Sequence, residues 1–272
     1  MAQPVNPMVI DLSHWDPADD YSAVKSSGIH GVIYKATQGG GYTDDTYVSQ
    51  RSAARAAGLK WGAYHFADSS NTQSQIDNFM RFAAPDPDEL FCLDWEDNGG
   101  AKMSRSQAET WVQGVEDRLG RPNQCVVYGG NTIKEAIPNS PNEFWSARRL
   151  WLCQYSDSAS WPTEVWPVYW LWQFTDGQYG PSPHSIDGVG HCDINSYRNG
   201  PPEQLEAEWA TGESEPTPPE PEPTPDAGEC TVVVATTPGV LVKVRQVVLT
   251  PQLRDMSREM LKKMREKEAG RT

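Results

Sequence analysis

The 272-residue chain carries 37 acidic against 23 basic side chains, a formal net charge of −14, with 38% hydrophobic residues and 11 tryptophans. That length suits one large domain with a small appendage, and the acidic balance argues against nucleic acid and anionic membranes as partners. No stretch approaches the roughly 20 apolar residues of a membrane-spanning helix, and Met1–Met8 lacks the basic and apolar regions of a secretory leader, so synthesis in a cytoplasm is expected.

Eight strand-like runs follow in chain order: Met8–Ser13, His30–Ala36, Leu59–Phe66, Leu90–Glu96, Gln124–Gly130, Arg149–Tyr155, Tyr169–Phe174 and His191–Tyr197. Most are continuously apolar, as parallel strands covered on both faces require. Helices are expected between the early ones. Asp19–Ser27 is the first. Asp44–Ala57 stops at Gly58, and Thr72–Ala84 stops before Pro85. Ser104–Leu119 opens with the capping-box spacing Ser104…Gln107 and ends at Gly120. Alternating strand and helix implies βαβ units. Beyond Tyr155 the connections are rich in Pro and Gly. The expected fold is therefore an α/β, flattened TIM-like barrel of eight mainly parallel strands, with helices mostly in the first half, occupying 1–212.

Residues 213–228 read as a charged Pro/Glu-rich linker. Residues 229–272 read as a β-hairpin (Thr231–Ala235 and Val240–Leu249) followed by an amphipathic helix with Leu253, Met256, Met260 and Met264 on one face. Such a piece is too small for an independent core and is expected to self-associate or attach to a wall. Of the five cysteines, Cys92, Cys125, Cys153 and Cys192 lie in apolar runs and read as reduced, buried thiols. Cys230 lies outside them.

The richest stretch is Phe91-Cys92-Leu93-Asp94-Trp95-Glu96. Alternate strand residues share a face, so Asp94 and Glu96 project together while Trp95 points away. Two carboxylates in one cleft cannot both ionise easily, and one keeps its proton. A protonated acid beside an ionised carboxylate is what glycosidic cleavage requires. Barrel enzymes gather their chemistry at strand ends, and these supply Asp11, Lys35, Tyr64, Phe66, Asp94, Glu96, Tyr128, Trp151, Tyr155, Trp172, Gln173, Asp193 and Asn195. An acidic, aromatic-lined cleft suits a sugar. His65 reads as packing behind the barrel. None of the five histidines forms HxH or HExxH, so neither a metal nor another cofactor is expected.

Six motifs in barrel order make the chain resemble the family 25 glycoside hydrolases, the Chalaropsis-type muramidases. They are Asp11-Leu-Ser13, Tyr34-Lys-Ala-Thr37, Gly62-Ala-Tyr-His-Phe66, Asp94-Trp-Glu96, Trp172-Gln-Phe-Thr175 and Asp193-Ile-Asn195. The resemblance covers Met8 to about Arg198. It implies a peptidoglycan hydrolase that retains configuration, with Glu96 as proton donor. Asp94 looks like either the nucleophile or the group that orients the substrate's acetamido. Asp11 and Asp193 look like supporting acids, and Tyr64 and Tyr128 like contacts to the reacting sugar. At the rim, His14-Trp15-Asp16-Pro17 stands where the family often has Gln-Gly, and Gln38 where it often has Glu. A muramidase with no leader and a small tail looks like a phage endolysin, released by a holin-type partner to act on the cell wall, and a bacterial or phage-structural muramidase is the other origin the resemblance leaves open.

Two other readings compete. A barrel chitinase usually carries D-x-x-D-x-D-x-E on strand four, which is absent here. A non-catalytic wall-binding protein would have no need of an intact acid pair.

Overall fold

A computed structural model describes residues 5–198 and 200–211, and the backbone of 233–235 and 241–243. It divides into two units, Met1–Glu215 and Pro216–Thr272. In the first unit the elements are β1 (Pro7–Leu12), α1 (Tyr21–Ser26), β2 (Gly31–Gln38), β3 (Tyr42–Thr43), α2 (Tyr47–Ala56), β4 (Lys60–Phe66), α3 (Thr72–Phe82), β5 (Leu90–Asp94), α4 (Arg105–Leu119), β6 (Val126–Gly129), α5 (Asn131–Ala136), α6 (Glu143–Ser146), β7 (Arg149–Cys153), β8 (Leu171–Thr175), β9 (Ser185–Ile186), β10 (Gly190–His191), β11 (Asp193–Tyr197) and α7 (Pro202–Glu208).

Eight strands close into a barrel in the order β1-β2-β4-β5-β6-β7-β8-β11, with β11 returning to β1. The first seven run parallel, while β11 runs antiparallel to both neighbours. Asp193 therefore begins its strand, yet sits opposite Asp11 at the same mouth as the other strand ends. A Gly/Pro-rich connection carrying the β9–β10 hairpin takes the place of a crossover helix and allows the reversal.

Local chemistry sets the helix limits. The Asp20 side chain caps α1, Asn71 caps α3, and Ser104 with Gln107 forms the expected capping box on α4. Gly120 ends α4 at φ 64°, a left-handed position natural to glycine.

The pleat divides the core in two. Inside the barrel lie Val9, Ile33, Leu90, Cys92, Val126 and Leu171. Between barrel and helices lie Ile10, Val32, Phe91, Leu93, Val127 and Phe174. Helix α7, not anticipated, plugs the bottom. Trp209 is buried, donates Nε1 to the Trp61 carbonyl at 2.7 Å, and packs so closely on Gly31 that a Cβ there would collide with its indole. Arg149 caps the end of α7 through the Glu208 and Trp209 carbonyls at 2.7 and 3.1 Å. Cys92, Cys125 and Cys192 are buried and Cys153 half-buried, all free thiols.

In the second unit, β12 (Val233–Ala235) pairs antiparallel with β13 (Leu241–Lys243). The linker 213–228, Cys230, the amphipathic helix and its self-association lie outside the described residues. Among the described residues no helix is long and apolar enough to cross a membrane.

Candidate active site

Every second residue of each strand faces the barrel axis, and at the mouth these inward positions turn polar. Tyr64 of β4, Asp94 of β5, Tyr128 of β6, Trp151 of β7, Gln173 of β8, Asp11 of β1 and Asp193 of β11 line one cavity of about 150 Å³, together with Glu96 and Tyr155. The strand ends formally at Asp94, but Trp95 N still donates to the Tyr128 carbonyl at 2.9 Å, so the alternation continues for two residues. Trp95 is fully buried on the outer side, donating Nε1 to the Met103 carbonyl at 2.8 Å and stacking on Trp145. Gly129 makes room for this exit, since a Cβ there would lie 2.6 Å from the Trp95 carbonyl oxygen. Asp94 and Glu96 thus share the cavity, as their spacing predicts.

A hydrogen-bond network fixes the floor. Gln173 Nε2 donates to both Asp11 oxygens, at 3.0 and 2.9 Å, and Asn195 Nδ2 donates to Asp11 Oδ2 at 2.8 Å. Trp151 Nε1 in turn orients Asn195, donating to its Oδ1 at 2.5 Å. Gln173 Oε1 accepts from the Tyr128 and Tyr155 hydroxyls at 2.8 and 2.9 Å. By contrast, Asp94 Oδ1 is buried with no hydrogen-bond partner. A buried acceptor left empty costs stability unless something fills it.

Crowding four carboxyls in one cavity raises all of them. Burial pushes Asp11 up to about 7, against the pull of its Asn195 and Gln173 donors. Burial, then the Asp11 charge, pushes Asp193 up to about 9. Asp94 is held well above the usual carboxylate range by burial and then by Glu96. Glu96, half-buried, is raised by burial, and the Lys35 ammonium opposes this. Without substrate the proton shared by the pair favours the deeper Asp94.

The remaining candidates fall into place differently. Lys35 does not line the cavity. Its Nζ donates to Gln38 Oε1 at 2.7 Å and lies 4.7 Å from the Phe66 ring centre, acting on the acids by charge. Asn195 is fully buried behind Asp11. Trp172 is a correction: it packs in the outer core and donates Nε1 to the Gln154 carbonyl at 2.8 Å. Its neighbour Gln173 faces in, so Trp172 must face out. His65 is buried between Phe79 and Trp111, with its ring nitrogens on Thr37 and Gln75.

Beside the cavity, Glu96 and Tyr155 also border a wider groove of about 650 Å³ whose far wall includes Asn131, Thr132, Lys134 and Gln154. Neither Asp94 nor Asp11 borders it.

Residues 10–182 match the sequence profile described as Glycosyl hydrolases family 25. The chain is 40% identical over 195 residues to the autolytic lysozyme of Clostridium acetobutylicum, a match covering 70% of this chain and 56% of that protein. It is 28% identical over 191 residues to lysozyme M1 of Streptomyces globisporus, covering 65% of each. The chain thus spans less than two thirds of the length of either relative. A solved bacterial lysozyme from Streptomyces coelicolor superposes with a TM-score of 0.63 at 27% identity, covering 78% of this chain and all of that one.

Proposed function

The chain belongs to the glycosyl hydrolases of family 25, and from that premise we propose that it is an N-acetylmuramidase. It hydrolyses the β-1,4 bond between N-acetylmuramic acid and N-acetylglucosamine in peptidoglycan. One observation carries this reading: Asp94 and Glu96 share a small acidic cavity, and Glu96 alone of the two also borders the adjoining groove. A sugar in the cavity sets its anomeric carbon against Asp94, and the leaving half lies in the groove. Glu96 stands between them and donates its proton to the glycosidic oxygen as the C–O bond breaks.

Asp94 offers an empty acceptor to the reacting sugar. An acetamido N–H of the substrate would fill it, favouring ionised Asp94 and leaving the shared proton on Glu96. The acetamido oxygen then bonds to the anomeric carbon as the leaving oxygen departs. Water, deprotonated by the now ionised Glu96, opens that ring. Direct attack by Asp94 is the alternative, and both routes retain configuration. Asp11 and Asp193 shape the cavity's charge, and Tyr64 and Tyr128 contact the sugar.

Glu96→Gln should lower reducing-end release from purified walls by about 10²–10⁴-fold, while the variant still sediments with walls. Undiminished clearing by that variant would overturn the assignment. Mass spectrometry of the released fragments should find muramic acid at the reducing end. Fragments ending in N-acetylglucosamine, or equal turnover of chitin, would favour the other glycosidase reading.

A further inference from the structure

Trp15 is 83% exposed, whereas every other tryptophan of the chain is buried or half-buried. It is also held in place. It occupies a tight turn in which Ser13 N donates to Asp16 Oδ1 at 2.8 Å, Asp16 N to the Ser13 carbonyl at 3.1 Å, and Trp15 N to Ser13 Oγ at 3.2 Å. Behind it the His14 ring lies 4.6 Å away, centre to centre. His14 is pinned by the fully buried Asp44, whose Oδ2 lies 2.9 Å from Nδ1 and accepts from the backbone N at 3.0 Å. The Tyr42 hydroxyl is 3.1 Å from the same nitrogen. These contacts fix the backbone of the turn and the His14 ring, and the indole, touching only that ring among the described residues, is left facing water, a surface open to a partner.

The turn follows directly on the end of β1, where Asp11 lines the acid cavity. Tyr42, 41% exposed, lies 5.9 Å from His14, ring centre to ring centre, and Lys35 Nζ stands 5.6 Å from the Tyr42 ring centre. That same ammonium acts on Asp94 and Glu96. On the other flank, Asp16 of the Trp15 turn acts on Asp11 and Asp193. A pyranose has a flat C–H face and a polar rim, matching indole and phenol rings that are apolar in the middle and polar at one edge.

We propose that Trp15, backed by His14 and flanked by Tyr42, is a stacking platform for a pyranose of the glycan strand. This pyranose belongs to the same strand as the ring in the acid cavity and lies outside that cavity. The platform makes the enzyme favour long strands over short ones. The proposal rests on the muramidase reading.

The test uses iodide quenching of tryptophan fluorescence in the full chain carrying Glu96→Gln, which holds glycan uncut. Trp15 should supply most of the iodide-accessible emission, and Trp15→Phe should remove it. Peptide-free glycan strands of six or more sugars should protect that emission, whereas the disaccharide should not. In the otherwise unaltered chain, Trp15→Ala should lower the ratio of kcat/KM for long strands to that for a tetrasaccharide by about tenfold, with partial recovery in Trp15→Phe. Bound long strands that leave Trp15 open to iodide, or an unchanged ratio, would overturn the platform. Reducing-end release by the unaltered chain tests the underlying reading separately: a chain that cuts walls while Trp15 stays open refutes the platform alone.

Discussion

Gln173 clasps the Asp11 carboxylate, its Nε2 lying 3.0 and 2.9 Å from the two oxygens. Its own carbonyl oxygen is taken by Tyr128 and Tyr155, so the amide orientation is fixed from both sides. One uncharged residue therefore positions an acid and two phenols. Gln173→Ala should lower kcat by about 10–100-fold through lost positioning. Its donors pull Asp11 down from where burial would put it, so Asp11 should titrate above about 7 in the variant. Carboxyl NMR titration and steady-state kinetics check the two halves. A variant with wild-type kcat would mean the clasp is structural only.

Lys35 sets the charge state of the acid pair from outside the cavity. Its ammonium favours ionised Asp94 and ionised Glu96, opposing burial. Without it both carboxyls hold their protons to higher pH. A general acid must be protonated to act, so the alkaline limb of the rate profile should move to higher pH in Lys35→Met. The maximal rate should fall, because ionised Asp94 becomes scarcer. An alkaline limb that stays in place would show that Lys35 only packs against Phe66 and Tyr42.

His65 gives a pH signature in stability. Burial lowers it from 6.5 to about 4 in the folded protein. Between those values the unfolded imidazole binds more protons than the folded one, so the contribution of His65 to folding stability should rise with pH across about 4 to 6.5 and level off above. Asp11 and Asp193 work the other way. Their raised values favour the folded state at low pH, and that contribution drains as pH climbs through about 7 and about 9. Subtracting the urea stability curve of His65→Gln from that of the parent isolates the histidine. The difference should grow from pH 4 to 6.5, and a flat difference would contradict neutral burial.

Much of the site was legible because pleat parity is a local rule. Asp94 and Glu96 share a face through their spacing alone, and the inward alternation of β1, β4, β6 and β8 placed Asp11, Tyr64, Tyr128 and Gln173. The same rule, applied strictly, would have turned Trp172 outward beside Gln173. Strand direction was less accessible. The reversal of β11 depends on a connection without periodic pattern. Helices α5, α6 and α7 span four to seven residues, too short to show a helical period. The Trp209 plug depends on contacts with Trp61 and Gly31, far away in sequence.

The outer layer depends on one buried ion pair. Arg148, just before β7, donates Nη2 to Glu116 Oε2 of α4 at 2.6 Å and Nε to Oε1 at 3.1 Å, with both side chains nearly sealed from water. Glu116 Oε1 also accepts from Cys125 N at 3.1 Å, and the Arg148 carbonyl accepts from Trp166 Nε1 at 2.9 Å. The pair thus ties α4, the start of β6 and the loop after β7 together. Removing one partner strands a charge where water cannot reach it. Glu116→Leu or Arg148→Met should each cost about 3–5 kcal/mol. Replacing both by apolar residues of similar volume, Glu116→Leu with Arg148→Met, removes the stranded charge but leaves Cys125 N without its acceptor. The double variant should therefore lose less than either single variant, and about 1–3 kcal/mol of what it does lose is expected from that unpaired amide. Chemical denaturation of the four proteins completes the cycle. Additive losses in the double variant would mean that packing around Phe144 and Trp166, rather than the charge pair, holds this side of the barrel.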